Sequence, residues 1–121
     1  MAVVLVVDDE LAIVKLLEEV LTDEGYRVVV ATNGRKALEH AAREKPSLVD
    51  TDFMMPVMDG AAMVKAMRAD PQLADVPVVI MSSMPEATLA ERSPGYAAFV
   101  RKPFNIFAIV DLVAKLTKAQ G

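Results

Sequence analysis

Asp8 and Asp9 follow directly on the uncharged run from Ala2 to Val7. Asp52 ends a second short run, Ser82 closes a third, and Lys102-Pro103 follows a fourth. If these runs are neighbouring strands, three carboxylates, a hydroxyl and an ammonium meet at one sheet edge. Such a donor set suits a hard cation, since oxygen ligands favour Mg²⁺, Mn²⁺ or Ca²⁺ over zinc. It also suits a phosphoryl group, because aspartate can attack phosphorus when a metal and an ammonium neutralise the transferring group. Two carboxylates ~4 Å apart at an effective dielectric of ~20 repel by roughly 4 kcal/mol. Lys102 alone does not offset a cluster of three, so a bound cation is expected.

The elements that must position these groups are legible as alternating patterns. Val3 to Val7 is a β-branched run, read as a strand buried on both faces. Ile13, Leu16, Leu17, Val20 and Leu21 then recur at helical spacing, and Gly25 suits the helix C-cap. Arg27 to Ala31 is the second strand. Gly34 to Glu44 is a helix with Ala37, Leu38, Ala41 and Ala42 on one side, stopped by Lys45-Pro46. Leu48 to Asp52 is the third strand, and Asp59 caps a helix from Gly60 to about Ala69. Pro77 to Met81 is the fourth strand and Ala98 to Arg101 the fifth. Asn105 caps a last helix carrying Ile106, Ile109, Val110, Val113 and Leu116. Between the fourth and fifth strands, Pro85 and Pro94 bracket only Glu86 to Ser93, which leaves about two helical turns at most. Strands alternating with amphipathic helices imply an α/β fold of parallel βαβ units with right-handed crossovers. Ligands of such sheets sit beyond the carboxyl ends of the strands, where the chemistry-bearing residues fall.

Composition narrows the function further. The 121 residues suit a single domain spanning 1–121, able to bury a core without staples. There is no cysteine, which removes disulfides, thiolate metal sites and cysteine nucleophiles. Seventeen acidic against thirteen basic groups, a net charge of −4, match a phosphate backbone poorly, so no nucleic-acid binding by this domain is expected. Ala2 to Val7 is too short for a membrane span and no basic segment precedes it, so a soluble, cytoplasmic domain is expected. His40 lies among alanines and charges and reads as a solvated side chain. The methionines at 54, 55, 58, 63 and 67 read mostly as core or loop packing.

VVDDE near the start, DFMMPVMDG in the middle, a strand ending in Ser and KPF near the end together resemble a response-regulator receiver domain, most simply a single-domain chemotaxis regulator. The likeness runs from Val3 to about Leu116. It implies a flavodoxin-like, doubly wound sheet of five parallel strands in order 2-1-3-4-5 with five flanking helices, of which Pro85, Pro94 and Gly95 make the fourth short or irregular here. It makes Asp52 the phosphoacceptor. Asp9, Asp52 and the backbone carbonyl of Met54 would bind Mg²⁺ (or Mn²⁺), with Asp8 acting largely through a metal-bound water. Ser82 and Lys102 would contact the phosphoryl oxygens. Phe99 matches the family's aromatic switch position, following Ser82 inward on phosphorylation, and the Lys102-Pro103 bond is expected to be cis. The implied partners are a histidine kinase or phosphotransfer protein as donor, and a downstream protein or output domain. No output domain lies within the 121 residues, so the chain reads either as a complete regulator or as a receiver excised from a longer protein. It would catalyse only its own phosphorylation and dephosphorylation.

Asp50 departs from the family, which holds an aliphatic side chain there. It should point to the same side of its strand as Asp52, with a raised pKa. Two rival readings follow from it. Asp50-Thr51-Asp52 has the DxD spacing of haloacid-dehalogenase-type phosphohydrolases, although Met54 stands where that family expects Thr or Val. Alternatively the domain is a pseudo-receiver that binds partners without phosphorylation. Two positions bear on the lifetime of a phosphorylated state, Met54 and Met84. Fast-cycling regulators carry water-orienting polar groups there, whereas methionine offers only a weak acceptor and apolar bulk. The short segment after Pro85 is expected to be more mobile than the other helices, so that partner contacts shift toward the first and fifth helices or involve ordering of the loop.

Overall fold

The structure is a computed structural model and describes residues 2–92 and 95–118. Ser93, Pro94 and residues 119–121, on which parts of the sequence reading fall, lie outside the described residues. The chain runs β1 (Val3–Val7), α1 (Leu11–Asp23), β2 (Arg27–Ala31), α2 (Gly34–Arg43), β3 (Leu48–Asp52), α3 (Gly60–Ala69), β4 (Val78–Ser82), α4 (Glu86–Arg92), β5 (Ala98–Arg101) and α5 (Ile106–Lys118). The five strands form one parallel sheet in order β2-β1-β3-β4-β5. Every expected element is present. β4 lies one residue later than its apolar run suggested and includes Ser82. α2 ends at Arg43, while α5 continues two residues beyond Leu116.

Alternation along the strands divides the core in two. Leu5, Val7, Val49, Phe53, Val78 and Ile80 pack with Ala37, Met63, Val64, Met67 and Leu89, beneath α2, α3 and α4. Val4, Val6, Leu48, Val79 and Met81 pack with Leu17, Leu21, Ile109 and Val113, beneath α1 and α5. The three central strands are buried on both faces, which is why β1 and β4 read as apolar runs without alternation, while β3 buries Asp50 and Thr51 beside Leu48 and Val49.

The helix ends explain how the loops are fixed. Asn33, Asp59 and Asn105 accept hydrogen bonds from the backbone N–H groups of Lys36, Ala62 and Phe107. Gly25 follows the C-cap of α1 at φ +95°, a conformation that costs a residue with a Cβ. Asp8 and Asp9 do not cap α1. Its N-cap is Glu10, with no side-chain capping bond, so both aspartates are available for other work. The fourth helix is short, as expected, but regular: seven residues with Leu89 in the core.

Candidate functional site

The carboxyl ends of β1, β3, β4 and β5 deliver Asp8, Asp52, Ser82 and Lys102 to one edge of the sheet. Carboxylate oxygens of Asp8, Asp9 and Asp52 lie within 4.8 Å of one another. The Lys102 ammonium reaches into them, 3.0 Å from Asp8 Oδ2 and 3.3 Å from Asp52 Oδ1, with Glu10 Oε1 at 3.5 Å. Asp8 is 0% exposed and also accepts the Glu10 N–H at 2.9 Å. Asp52 Oδ1 accepts the Phe53 N–H at 2.9 Å, which fixes the carboxyl as it leaves the strand. Asp9 is exposed and open to solvent. The Lys102-Pro103 bond is cis, as expected.

Gly60 explains the close approach of α3. A Cβ there would stand 3.0 Å from the Asp52 carbonyl and 3.1 Å from Phe53 Cα. With hydrogen alone, the Gly60 N–H donates to the Phe53 carbonyl at 2.8 Å, and the helix seats against the strand end that carries Asp52.

A cleft of about 270 Å³ opens over the cluster, lined by Asp9, Glu10, Asp52, Met54, Ser82, Ser83 and Lys102. Glu10 and Ser83 were not among the expected site residues. Glu10 could have been suspected as the third acid in the run after β1, and Ser83 as the second of two hydroxyls after β4. A larger cleft of about 520 Å³ lies at the opposite end of the sheet, among Val3, Leu5, Arg27, His40 and Glu44. It holds none of the expected site residues.

Electrostatics follow burial. The Asp52 carboxyl is pushed up to about 6, by burial first and by the Asp8 charge second, against the pull of Lys102 and the Phe53 N–H. Burial alone would lower the Lys102 pKa. Its hydrogen bond to Asp8 and the charges of Asp52 and Asp8 outweigh burial, and the ammonium is held above its ordinary value. The cluster thus carries more negative charge than one ammonium balances, and it could hold a metal ion.

Asp50 lies beneath this cluster, on the same face as Asp52. It is 0% exposed, pairs in register with the buried Val6 and Val79, and neither oxygen has a hydrogen-bond partner among the described residues. Burial, followed by the Asp8 charge, pushes its pKa up to about 8. Asp50 does not line the cleft, so the phosphohydrolase reading, which needs it as an accessible nucleophile, has no geometric support.

Ser82 and Phe99 sit on the opposite face of the sheet from Asp52. Ser82 is buried and its Oγ accepts the Met84 N–H at 3.0 Å; Phe99 is half-buried against the core beneath α3 and α4. The two methionines separate. Met54 is 59% exposed and lines the cleft, an exception among methionines expected mostly to pack, whereas Met84 packs against the core. Met63 and Met67 are buried, and Met55 and Met58 half-buried, as expected. Asp59 is a helix cap, and His40 is half-exposed on the last turn of α2.

A parallel 2-1-3-4-5 sheet with three carboxylates and a lysine at its carboxyl edge defines a receiver. The family model for the response regulator receiver domain matches residues 4–114, and the chain belongs to that family. It is 37% identical over 114 residues to sporulation initiation phosphotransferase F of Bacillus subtilis, covering 93% of this chain and 90% of that protein. It is 36% identical over 117 residues to the response regulator PleD of Caulobacter vibrioides, covering 95% of this chain but only 26% of that protein. Among solved structures, it superposes on the chemotaxis response regulator CheY4 of Vibrio cholerae with a TM-score of 0.88 and 32% identity. That match covers 96% of this chain and 98% of the other. The chain is a receiver domain of the two-component type, consistent with phosphorelay signalling. No helix among the described residues is long and apolar enough to cross a membrane.

Proposed function

We propose that Asp52 accepts a phosphoryl group from a phosphohistidine on a histidine kinase or phosphotransfer protein, and that the modified domain signals to a downstream protein or output domain. One observation carries this reading: Asp52, poised at the mouth of a cleft, lies 3.3 Å from the Lys102 ammonium and within 4.8 Å of two further carboxylates. A carboxylate oxygen of Asp52 forms the new O–P bond as the P–N bond to the donor imidazole breaks, and the imidazole keeps the electron pair. Lys102 and the Ser82 hydroxyl meet the transferring oxygens. Asp9, Asp52 and the Met54 carbonyl would hold Mg²⁺ (or Mn²⁺), with Asp8 acting through a coordinated water. A hard divalent ion fits a donor set that is all oxygen and under-neutralised. Bound there, it would offset charge on the phosphoryl group.

The switch that follows uses Ser82 and Phe99, which share a face on adjacent strands. Drawing Ser82 toward the phosphoryl group vacates space that Phe99 can enter. The donor has a surface to meet beside the site. A groove of about 460 Å³ runs from Lys102 between Ile13 and Leu16 of α1 and Pro103 and Phe104. Leu11 and Leu16 stand exposed on the same helix. The domain catalyses only its own phosphorylation and dephosphorylation, and a cytoplasmic location goes with this reading.

Intact-mass spectrometry with acetyl phosphate tests it. The parent should gain one phosphoryl group in Mg²⁺ and none in chelator, and Asp52→Asn should gain none. An adduct that forms equally in chelator, or survives Asp52→Asn, sinks the assignment. A parent that binds Mg²⁺ but never forms the adduct would be a pseudo-receiver.

A further inference from the structure

Phe53, immediately after Asp52, is tied down on every side. Its N–H is shared between Asp52 Oδ1 at 2.9 Å and the Met81 carbonyl of β4 at 3.0 Å, and its own carbonyl accepts the Gly60 N–H. The side chain is wholly buried, and the guanidinium of Arg92 lies over its ring, with Cζ 5.3 Å from the centroid. That separation is within cation–π range.

Arg92 is the last residue of α4, and α4 is too short to hold itself by its own ladder of hydrogen bonds. Among the described residues, three tertiary contacts are seen along it. The Tyr96 hydroxyl donates to Glu86 Oε2 at 3.0 Å in the first turn, Leu89 enters the core in the middle, and Arg92 covers Phe53 at the end. Of these, the Arg92 contact lies on the ring of Phe53, whose N–H is hydrogen-bonded to the Asp52 carboxyl.

We infer that Arg92 couples the chemical state of Asp52 to the position of α4 through the Phe53 ring. This rests on Asp52 being the phosphoacceptor. An ionised carboxylate holds the Phe53 N–H by a charge-assisted bond. Forming the O–P bond moves negative charge from the carboxylate onto the phosphoryl oxygens, and Oδ1 becomes a weaker acceptor. The shared N–H then shifts toward the Met81 carbonyl and carries Phe53 with it. A fully buried ring has no slack in which to absorb that shift, so the guanidinium on its face moves or lets go. Arg92 is therefore a positioning residue for α4, distinct from the hydroxyl and aromatic pair on β4 and β5.

The test is hydrogen exchange over residues 84–92 in the parent, Arg92→Ala and Arg92→Lys, before and after acetyl phosphate with Mg²⁺. Adduct formation is read by intact mass in the same samples. Arg92 is exposed, so its replacement leaves the core intact. In the parent, exchange in α4 should change on phosphorylation. In Arg92→Ala it should be about two- to fivefold faster beforehand, the factor of one lost cation–π contact, and should no longer respond. Arg92→Lys should keep part of the response, and the adduct should form to the same extent in all three. An Arg92→Ala variant whose α4 responds like the parent's overturns the inference, as does a parent that forms the adduct with α4 unchanged. A parent that forms no adduct overturns the phosphoacceptor assignment, and the coupling falls with it.

Discussion

Replacing Asp50 by Leu removes a carboxyl from the middle of the sheet, and the size of the effect follows from where that group sits. Asp50 is fully buried, and its pKa rises from 3.8 to about 8. At pH 7 it is neutral in the folded chain and ionised in the unfolded one. The unfolded chain releases this proton near pH 4 and the folded chain near pH 8. Folding therefore takes up a proton between those values, and stability falls by about 1.4 kcal/mol per pH unit across that window. Summed to pH 7, the limit is about 4 kcal/mol. Relaxation around a buried acid reduces this, and the extra volume of Leu works against the gain. Leu keeps the branching at Cγ, so Asp50→Leu should stabilise the domain by about 1–3 kcal/mol at pH 7, with the gain shrinking toward pH 5. Asp50→Asn stops the titration but leaves a buried polar group, so it should flatten the pH profile with a smaller gain. Urea melts at pH 5, 6, 7 and 8 measure all three proteins. No gain at pH 7, or the same gain at pH 5 and pH 8, would refute the reasoning, because the folded chain would then hold Asp50 solvated or paired.

Three further outcomes are expected. Mg²⁺ affinity, measured by calorimetric titration, should weaken as pH falls through about 6, where Asp52 takes up its proton; equal affinity at pH 5 and pH 8 would contradict the site's electrostatics. Phosphate loss from the phosphorylated domain should be faster in Met54→Asn, since an amide at the cleft rim can orient the attacking water. Adding Met84→Glu should contribute less, because Met84 packs against the core; a lifetime unchanged in the double variant would mean water positioning at these sites does not set it. Arg68→Ala should cost about 1–3 kcal/mol in a thermal or urea melt, because the guanidinium donates to the carbonyls of Gly95, Leu73, Ala74 and Val76. A loss under about 0.5 kcal/mol would show those carbonyls content with water.

The strands and their order of chemistry could be read from sequence because burial on both faces leaves a run of apolar residues that ends where the chain meets the site. The carboxylates at 8 and 9 follow such a run, Asp52 ends the third strand and Lys102 comes just past the fifth, so their convergence was implied by a parallel sheet. Caps at Asp59 and Asn105 were legible for the same local reason: a short polar side chain just before an amphipathic period. What could not be read is what crosses between elements. Arg68 grips four carbonyls, and carbonyls have no sequence signature. Arg92 finds Phe53 across 39 positions, by a contact that only the placement of α4 decides. Met54 and Met84 looked equivalent as residues, each two places beyond a site residue. They differ because the loop after β3 turns its side chain out, while the one after β4 tucks it against the core.

Asp50 shows how the same alternation that assembles the site also limits what can stand behind it. Positions 50 and 52 project to one face, and Asp8 continues the column that holds Val4 and Val6 on that face. A charged Asp50 would lie in direct repulsion with Asp8 and compete with Asp52 for the field of Lys102. Both effects are visible in what shifts its pKa, where the Asp8 charge raises it and Lys102 lowers it. Protonation resolves the conflict, because a neutral carboxyl neither repels Asp8 nor draws on the ammonium. A carboxyl at position 50 is then tolerated at a cost in stability, without drawing on the charges of the cluster. The cluster keeps Lys102 bound to Asp8 and within reach of Asp52.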